Sequence, residues 1–195
     1  MNSVQLTAIA LAALLSENFI LVTCMGIGTR TEAFHAPREA RRTGTSVLLT
    51  MMLSVFLTWL ADNLVLRHFG WEHMRLMTFT LLALSSTALL RLFFRTFLPG
   101  MATRLDDSLA AMSTNCAALG ASLLTSIRGY ELDQALTFAL FGGLGVLLCL
   151  LCFSGLQDAV DFEECPKVFR GAPIMLITAG LMALALVGFY GLHIT

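Results

Sequence analysis

An all-α membrane protein with six transmembrane helices, arranged as two inverted three-helix repeats with helices 1 and 4 interrupted near mid-membrane, is the fold class this sequence predicts. Three observations predict it. Of the 195 residues, 57% are hydrophobic and 13% charged, against roughly 25% charged in an ordinary soluble domain, and the mean hydropathy is +0.80. Apolar stretches recur along the whole chain at about the 20 residues that a helix needs to cross a hydrocarbon core of roughly 30 Å. Two of them, the first and the fourth, carry a polar cluster at mid-span. A water-soluble core cannot absorb that excess of apolar side chains, so the bilayer is the solvent and no room is left for a soluble catalytic domain.

Helix 1 is expected near Val4 to Ile27, helix 2 near Ser46 to Leu66 and helix 3 near Leu76 to Phe94. Helix 4 follows near Leu109 to Ile127, helix 5 near Ala135 to Leu156 and helix 6 near Ile174 to Leu192. The first segment has no Lys or Arg ahead of it and exceeds a secretory h-region in length, so it reads as a retained helix. Short polar connections between the spans make residues 1–195 a single integral membrane domain, with pseudo-repeats of about 1–100 and 101–195.

Orientation follows from the placement of Lys and Arg, which are retained on the cytoplasmic side near helix ends. Nine of the twelve lie in the first, third and fifth connections: Arg30, Arg38, Arg41 and Arg42, then Arg91, Arg95 and Arg104, then Lys167 and Arg170. Arg67, Arg75 and Arg128 lie on the opposite side. Those connections should face the cytoplasm, placing both termini on the outer side of a bacterial inner membrane.

Helix 1 carries Ser16-Glu17-Asn18 and helix 4 carries Ser113-Thr114-Asn115-Cys116, and glycines follow both, Gly26 and Gly28 in one case and Gly120 in the other. A duplicated three-helix unit explains the parallel. Because three is odd, the second copy enters from the opposite side, which is how midplane sites are built from interrupted helices. Glu17 is the acidic residue nearest the middle of a span, where an ionisable group needs a partner, water or a proton. It is read either as a proton or cation relay or as a carboxylic acid hydrogen-bonded to a neighbouring helix. Asp62 and Arg91, near span ends, are read as snorkelling or pairing locally.

Cys116, beside Asn115, has the chemistry of a metal ligand, since thiolates bind iron and zinc; in isolation a buried cysteine is more often a small hydrophobe. Cys24 stands at the matching end of helix 1. Cys149 and Cys152 form a C-x-x-C within an apolar helix and read as packing residues, and Cys165 as a loop thiol. His35, His68, His73 and His193 lie at or beyond span ends, so no pair is placed to ligate haem in the membrane. With net charge −1 and no long basic run, nucleic acid is excluded as a partner, and no phosphate-binding glycine motif is present. Gly142, Gly143 and Gly145 on helix 5, with Gly180, Gly188 and Gly191 on helix 6, are small residues that let helices approach closely.

Phe169-Arg170-Gly171 with Ile177-Thr178-Ala179-Gly180-Leu181-Met182, Thr114-Asn115-Cys116-Ala117, and Glu17-Asn18 with its spacing to Gly26 together resemble the Rnf-Nqr family of membrane subunits. The resemblance implies a translocase-type oxidoreductase subunit without a nucleotide site. Such a protein pairs with a homologous sister subunit of opposite orientation and helps hold a 2Fe-2S cluster at mid-membrane. The complex passes electrons between ferredoxin and NAD, or from NADH to quinone, coupled to sodium or proton transport. It further implies that each sister gives two cysteines; Cys116 matches the one on helix 4, with Asn18 and Asn115 beside the cofactor. Where the family has Gly-x-Cys-Pro at the end of helix 1, this chain reads Gly26-Ile27-Gly28-Thr29. The ligand position is thus Gly28, and Cys24, one turn earlier, substitutes only if the helix break is shifted. Asp106-Asp107-Ser108 and Ala110 depart from the family's apolar stretch ahead of helix 4. The competing reading is a cluster-free transporter or scaffold, a homodimer, with Glu17, Asn18 and Asn115 lining a small polar site.

Overall fold

A computed structural model of the chain describes residues 3–16, 37–66, 68, 72–97, 116–161 and 172–190. Six α-helices lie among them: α1 (Ser3–Leu11), α2 (Pro37–Ala61), α3 (Arg75–Phe97), α4 (Cys116–Ile127), α5 (Leu132–Asp161) and α6 (Ala172–Tyr190). Short departures from α winding adjoin three of them. A π turn, Ala12–Ser16, continues α1; another, Asp62–Leu66, continues α2; and a 3-10 turn, Glu72–Met74, leads into α3.

The bundle is organised around α2 and α5, which share its most extensive contact. Two glycines set how close they come. A Cβ added to Gly44 would lie 2.9 Å from the Cα of Leu147, and one added to Gly143 would lie 2.9 Å from the Cα of Leu48. Each helix thus seats a leucine of the other on a residue without a side chain. Residue numbers rise along one helix as they fall along the other, so the two are antiparallel. Around this crossing Val47, Met51 and Val55 of α2, Ala117 and Ala121 of α4, and Phe138, Val146 and Leu150 of α5 form a buried core. Lipid tails offer no hydrophobic drive between helices, so close van der Waals approach of this kind carries the packing.

α3 is the least covered of the long helices: Leu76, Met77, Leu81, Leu84, Leu89 and Leu92 are exposed. An apolar exterior of this extent suits a hydrocarbon solvent and would be a liability in water.

The expectation of six transmembrane helices is corrected here. Among the described residues three helices are long and apolar enough to cross a membrane, Pro37–Leu66, Arg75–Thr96 and Leu132–Leu156. The fourth helix is described from Cys116, not Leu109, and its 12 residues reach about 18 Å at 1.5 Å per residue, short of a bilayer core. Its far end is fixed by Gly129, whose φ of 65° permits the left-handed turn that stops the helix. Gly129 N–H donates to the Ser126 carbonyl and Tyr130 N–H to the Thr125 carbonyl, both at 3.1 Å, the pattern of a Schellman stop. In the first segment regular winding covers Ser3–Leu11 before the π turn, and in the last the apolar described stretch is Leu176–Ala185. The arrangement as two inverted sets of three spans falls with the six spans.

Helix 2 also begins nine positions earlier than expected, at Pro37. Proline suits a first helical position, Glu39 lies in the first turn where the helix dipole favours a carboxylate, and Arg42 Nη1 donates to Glu39 at 2.7 Å. Arg38, Arg41 and Arg42 therefore belong to the first turns of α2 instead of a connection.

Candidate functional site

Glu17, Asn18, Cys24, Gly28 and Asn115 lie outside the described residues. Cys116 is described: it is the first residue of α4, and it is exposed. Cys149 is buried in the core beside α2, while Cys152, one turn on, is exposed and takes no part in that core. Among the described residues no three His, Cys, Asp or Glu side chains come together as a metal site.

A polar cavity is found where sequence reasoning expected a side chain that snorkels or pairs locally. The ends of α2 and α4 and the starts of α3 and α5 meet at one end of the bundle and enclose about 420 Å3. Asp62 stands in its wall. The π turn that begins at Asp62 changes the helical register, and π turns of this kind recur at functional sites. The carboxylate is buried, with 8% of its side chain exposed. Arg75 Nε donates to Oδ1 at 2.9 Å, Arg75 Nη2 donates to Oδ2 at 3.5 Å, and Ser126 Oγ donates to Oδ2 at 3.2 Å. One carboxylate thereby ties three helices together, and a charge that would be costly in isolation is both paired and hydrogen-bonded.

The rest of the wall is built by local rules. Trp59, one turn before Asp62, donates Nε1–H to the Tyr130 carbonyl at 3.2 Å and so holds the α4–α5 turn against α2. Arg128 donates to Tyr130 Oη at 3.2 Å, with its guanidinium 5.6 Å from the centre of the Phe138 ring, within the range of a cation–π contact. Gln134 accepts from the Glu131 N–H at 3.3 Å, half of a capping box that starts α5. Glu131 and Asp133 at the rim, with Ser122 and Thr125 of α4 deeper in, give the cavity an oxygen-rich lining. The signal in the sequence was the pair Asp62 and Arg75, one acidic and one basic residue at facing ends of consecutive spans; nothing in one dimension said that they meet.

Comparison with known proteins places the chain among relatives. Residues 6–193 match the family described as "Rnf-Nqr subunit, membrane protein". The A-type component of the ion-translocating oxidoreductase complex of Syntrophotalea carbinolica is 33% identical over 188 residues, which cover 96% of this chain and 97% of that protein. Proteins of the same description from Azoarcus sp. and Vibrio cholerae serotype O1 (El Tor Inaba) are each 29% identical over 182 residues, 93% of this chain and 94% of theirs.

Proposed function

This chain belongs to the Rnf-Nqr family of membrane subunits, and from that premise we propose that it carries electrons across a bacterial inner membrane through a 2Fe-2S cluster shared with a homologous sister subunit. It is a multi-pass membrane protein; its partners in this reading are the sister and the other members of an ion-translocating complex, and both termini face outward.

The observation that carries the reading is the position of Cys116, whose exposed side chain heads α4. A ligand shared between two chains has to be presented outward from the packing of its own chain, and that is where this thiol stands. Iron–sulfur clusters are held by thiolates, so the residue fits. In this reading Cys116 and Cys24 are the ligands from this chain, the sister gives two more, and Asn18 and Asn115 stand beside the cofactor with Glu17 as an ion or proton relay. The cluster would supply one-electron transfer.

Iron and labile sulfide measured on the protein purified with its natural partners test the reading. Comparable amounts of both support it; absence of iron with every partner present overturns it and favours a cluster-free carrier.

A further inference from the structure

A second opening lies on the side of α2 away from the buried Val47 and Met51. It is a groove of about 440 Å3 lined by apolar side chains, among them Leu49, Met52, Leu53 and Phe56 of α2 and Leu89 and Phe93 of α3. Phe56 and Phe93 are 40% and 53% exposed, so the groove opens on the outside of the bundle. The two helices run antiparallel: Asp62 at the end of α2 meets Arg75 at the start of α3, while Leu49 and Phe93 share the groove further from that contact.

The same face of α2 continues to the amino end of the helix and turns basic there. Residues three and four apart stack on one side of a helix, and Arg38, Arg42, Thr45, Leu49, Met52 and Phe56 keep that spacing. Arg38 and Phe56 stand about five whole turns apart at 3.6 residues each, and all six lie within about 40° of one line. Arg38, Arg41 and Thr45 are exposed. Arg42 donates Nη1 to Glu39, which lies about 100° round the helix from Arg38, and a guanidinium has four further N–H donors. Glu39 is the one carboxylate against three arginines in residues 38–42, so the head of the groove is positive.

We propose that the groove and the arginines at its head hold one phospholipid with an anionic headgroup. Its phosphate lies at Arg38 and Arg42, its glycerol beside Thr45, and an acyl chain between Phe56 and Phe93. From Arg42 to Phe56 the row runs about 21 Å at 1.5 Å per residue, the depth of one leaflet of a bilayer about 40–45 Å thick with its headgroups. Guanidinium groups meet phosphate with paired N–H donors, and arginines beside a membrane span attract anionic lipid. A neutral lipid or an apolar helix would fill the groove and leave the arginines unanswered. The lipid site is independent of electron transfer and stands with or without a cluster.

The test puts the photoreactive p-benzoylphenylalanine in place of Phe56, whose ring it extends, in the assembled complex. The complex is reconstituted in vesicles of equal parts phosphatidylglycerol and phosphatidylethanolamine and irradiated, and the mass of the adduct identifies what fills the groove. Phosphatidylglycerol adducts should exceed phosphatidylethanolamine adducts about tenfold, the scale set by two arginines near one phosphate. Arg38→Gln with Arg42→Gln should bring the ratio to about one. Arg95→Gln removes a charge near the same end of the bundle, about 200° round α3 from Phe93, and should leave the ratio within about twofold of its starting value. Equal adducts of both lipids in the parent complex would mean ordinary solvating lipid, and an adduct to polypeptide would mean a protein interface; either overturns the proposal. So does an equal fall in Arg95→Gln and in the double variant. Should the double variant fail to assemble, Arg38→Gln alone, at an exposed position, should lower the ratio about threefold, and no fall there overturns the site.

Discussion

Arg75, in the first turn of α3, reaches both oxygens of Asp62, thirteen positions earlier at the end of α2, at 2.9 and 3.5 Å. The bond closes the cavity wall, and Ser126 brings α4 into the same contact. Removing one partner strands a buried charge. Arg75→Gln should therefore destabilise the protein by about 3 kcal/mol, read as a fall in the thermal midpoint in detergent. The double variant Asp62→Asn with Arg75→Gln should recover part of the loss, because two amides leave no unpaired charge. A double variant less stable than Arg75→Gln would show that the carboxylate holds the site by other means.

Reciprocal seating of Leu147 on Gly44 and Leu48 on Gly143 makes a different prediction. A methyl group at Gly143 meets backbone, which cannot turn aside, so Gly143→Ala should cost about 1 to 3 kcal/mol through overpacking. Gly180 has nothing within 4 Å of an added Cβ. Gly180→Ala should leave stability unchanged or raise it slightly, since alanine is the better helix former. Thermal unfolding of the two variants side by side distinguishes a crossing held by close approach from a generally loose bundle.

At the end of α4 it is backbone conformation, not space, that matters. Gly129 has φ of 65° with open space around it, so Gly129→Ala should cost about 1 to 2 kcal/mol through the left-handed conformation alone. Gly129→Asn should cost less, because asparagine tolerates that region. Equal losses in the two variants would point to a role other than the helix stop.

For the electron-transfer reading, Cys116→Ser should abolish the iron–sulfur EPR signal of the assembled complex. Cys149→Ser should leave the signal per assembled complex unchanged, since that thiol is enclosed in the α2–α5 core. An unaltered signal in Cys116→Ser would remove the ligand assignment.

How much was legible in advance differs from feature to feature. Helix 3 was expected at Leu76 to Phe94 and found at Arg75–Phe97, and helix 5 was expected at Ala135 to Leu156 and found at Leu132–Asp161. Apolar length is a property of the chain read in one dimension, so these spans could be counted. Of the glycines singled out on helices 5 and 6, Gly143 is a packing contact and Gly180 faces open space; the pattern of small residues was visible, but not which of them meets a neighbour. Gly44 was overlooked because it lay outside the expected helix 2.

The order of residues was enough to establish the solvent, the family and the residue types suited to hold a metal, because hydropathy, motif and donor chemistry are written residue by residue. It took the folded arrangement to establish that Asp62 meets Arg75 across two helices and that α2 and α5 cross on their glycines. Those outcomes depend on which faces of separate helices come together, and that is set by close packing and by the pairing of buried charge, neither of which a linear pattern contains.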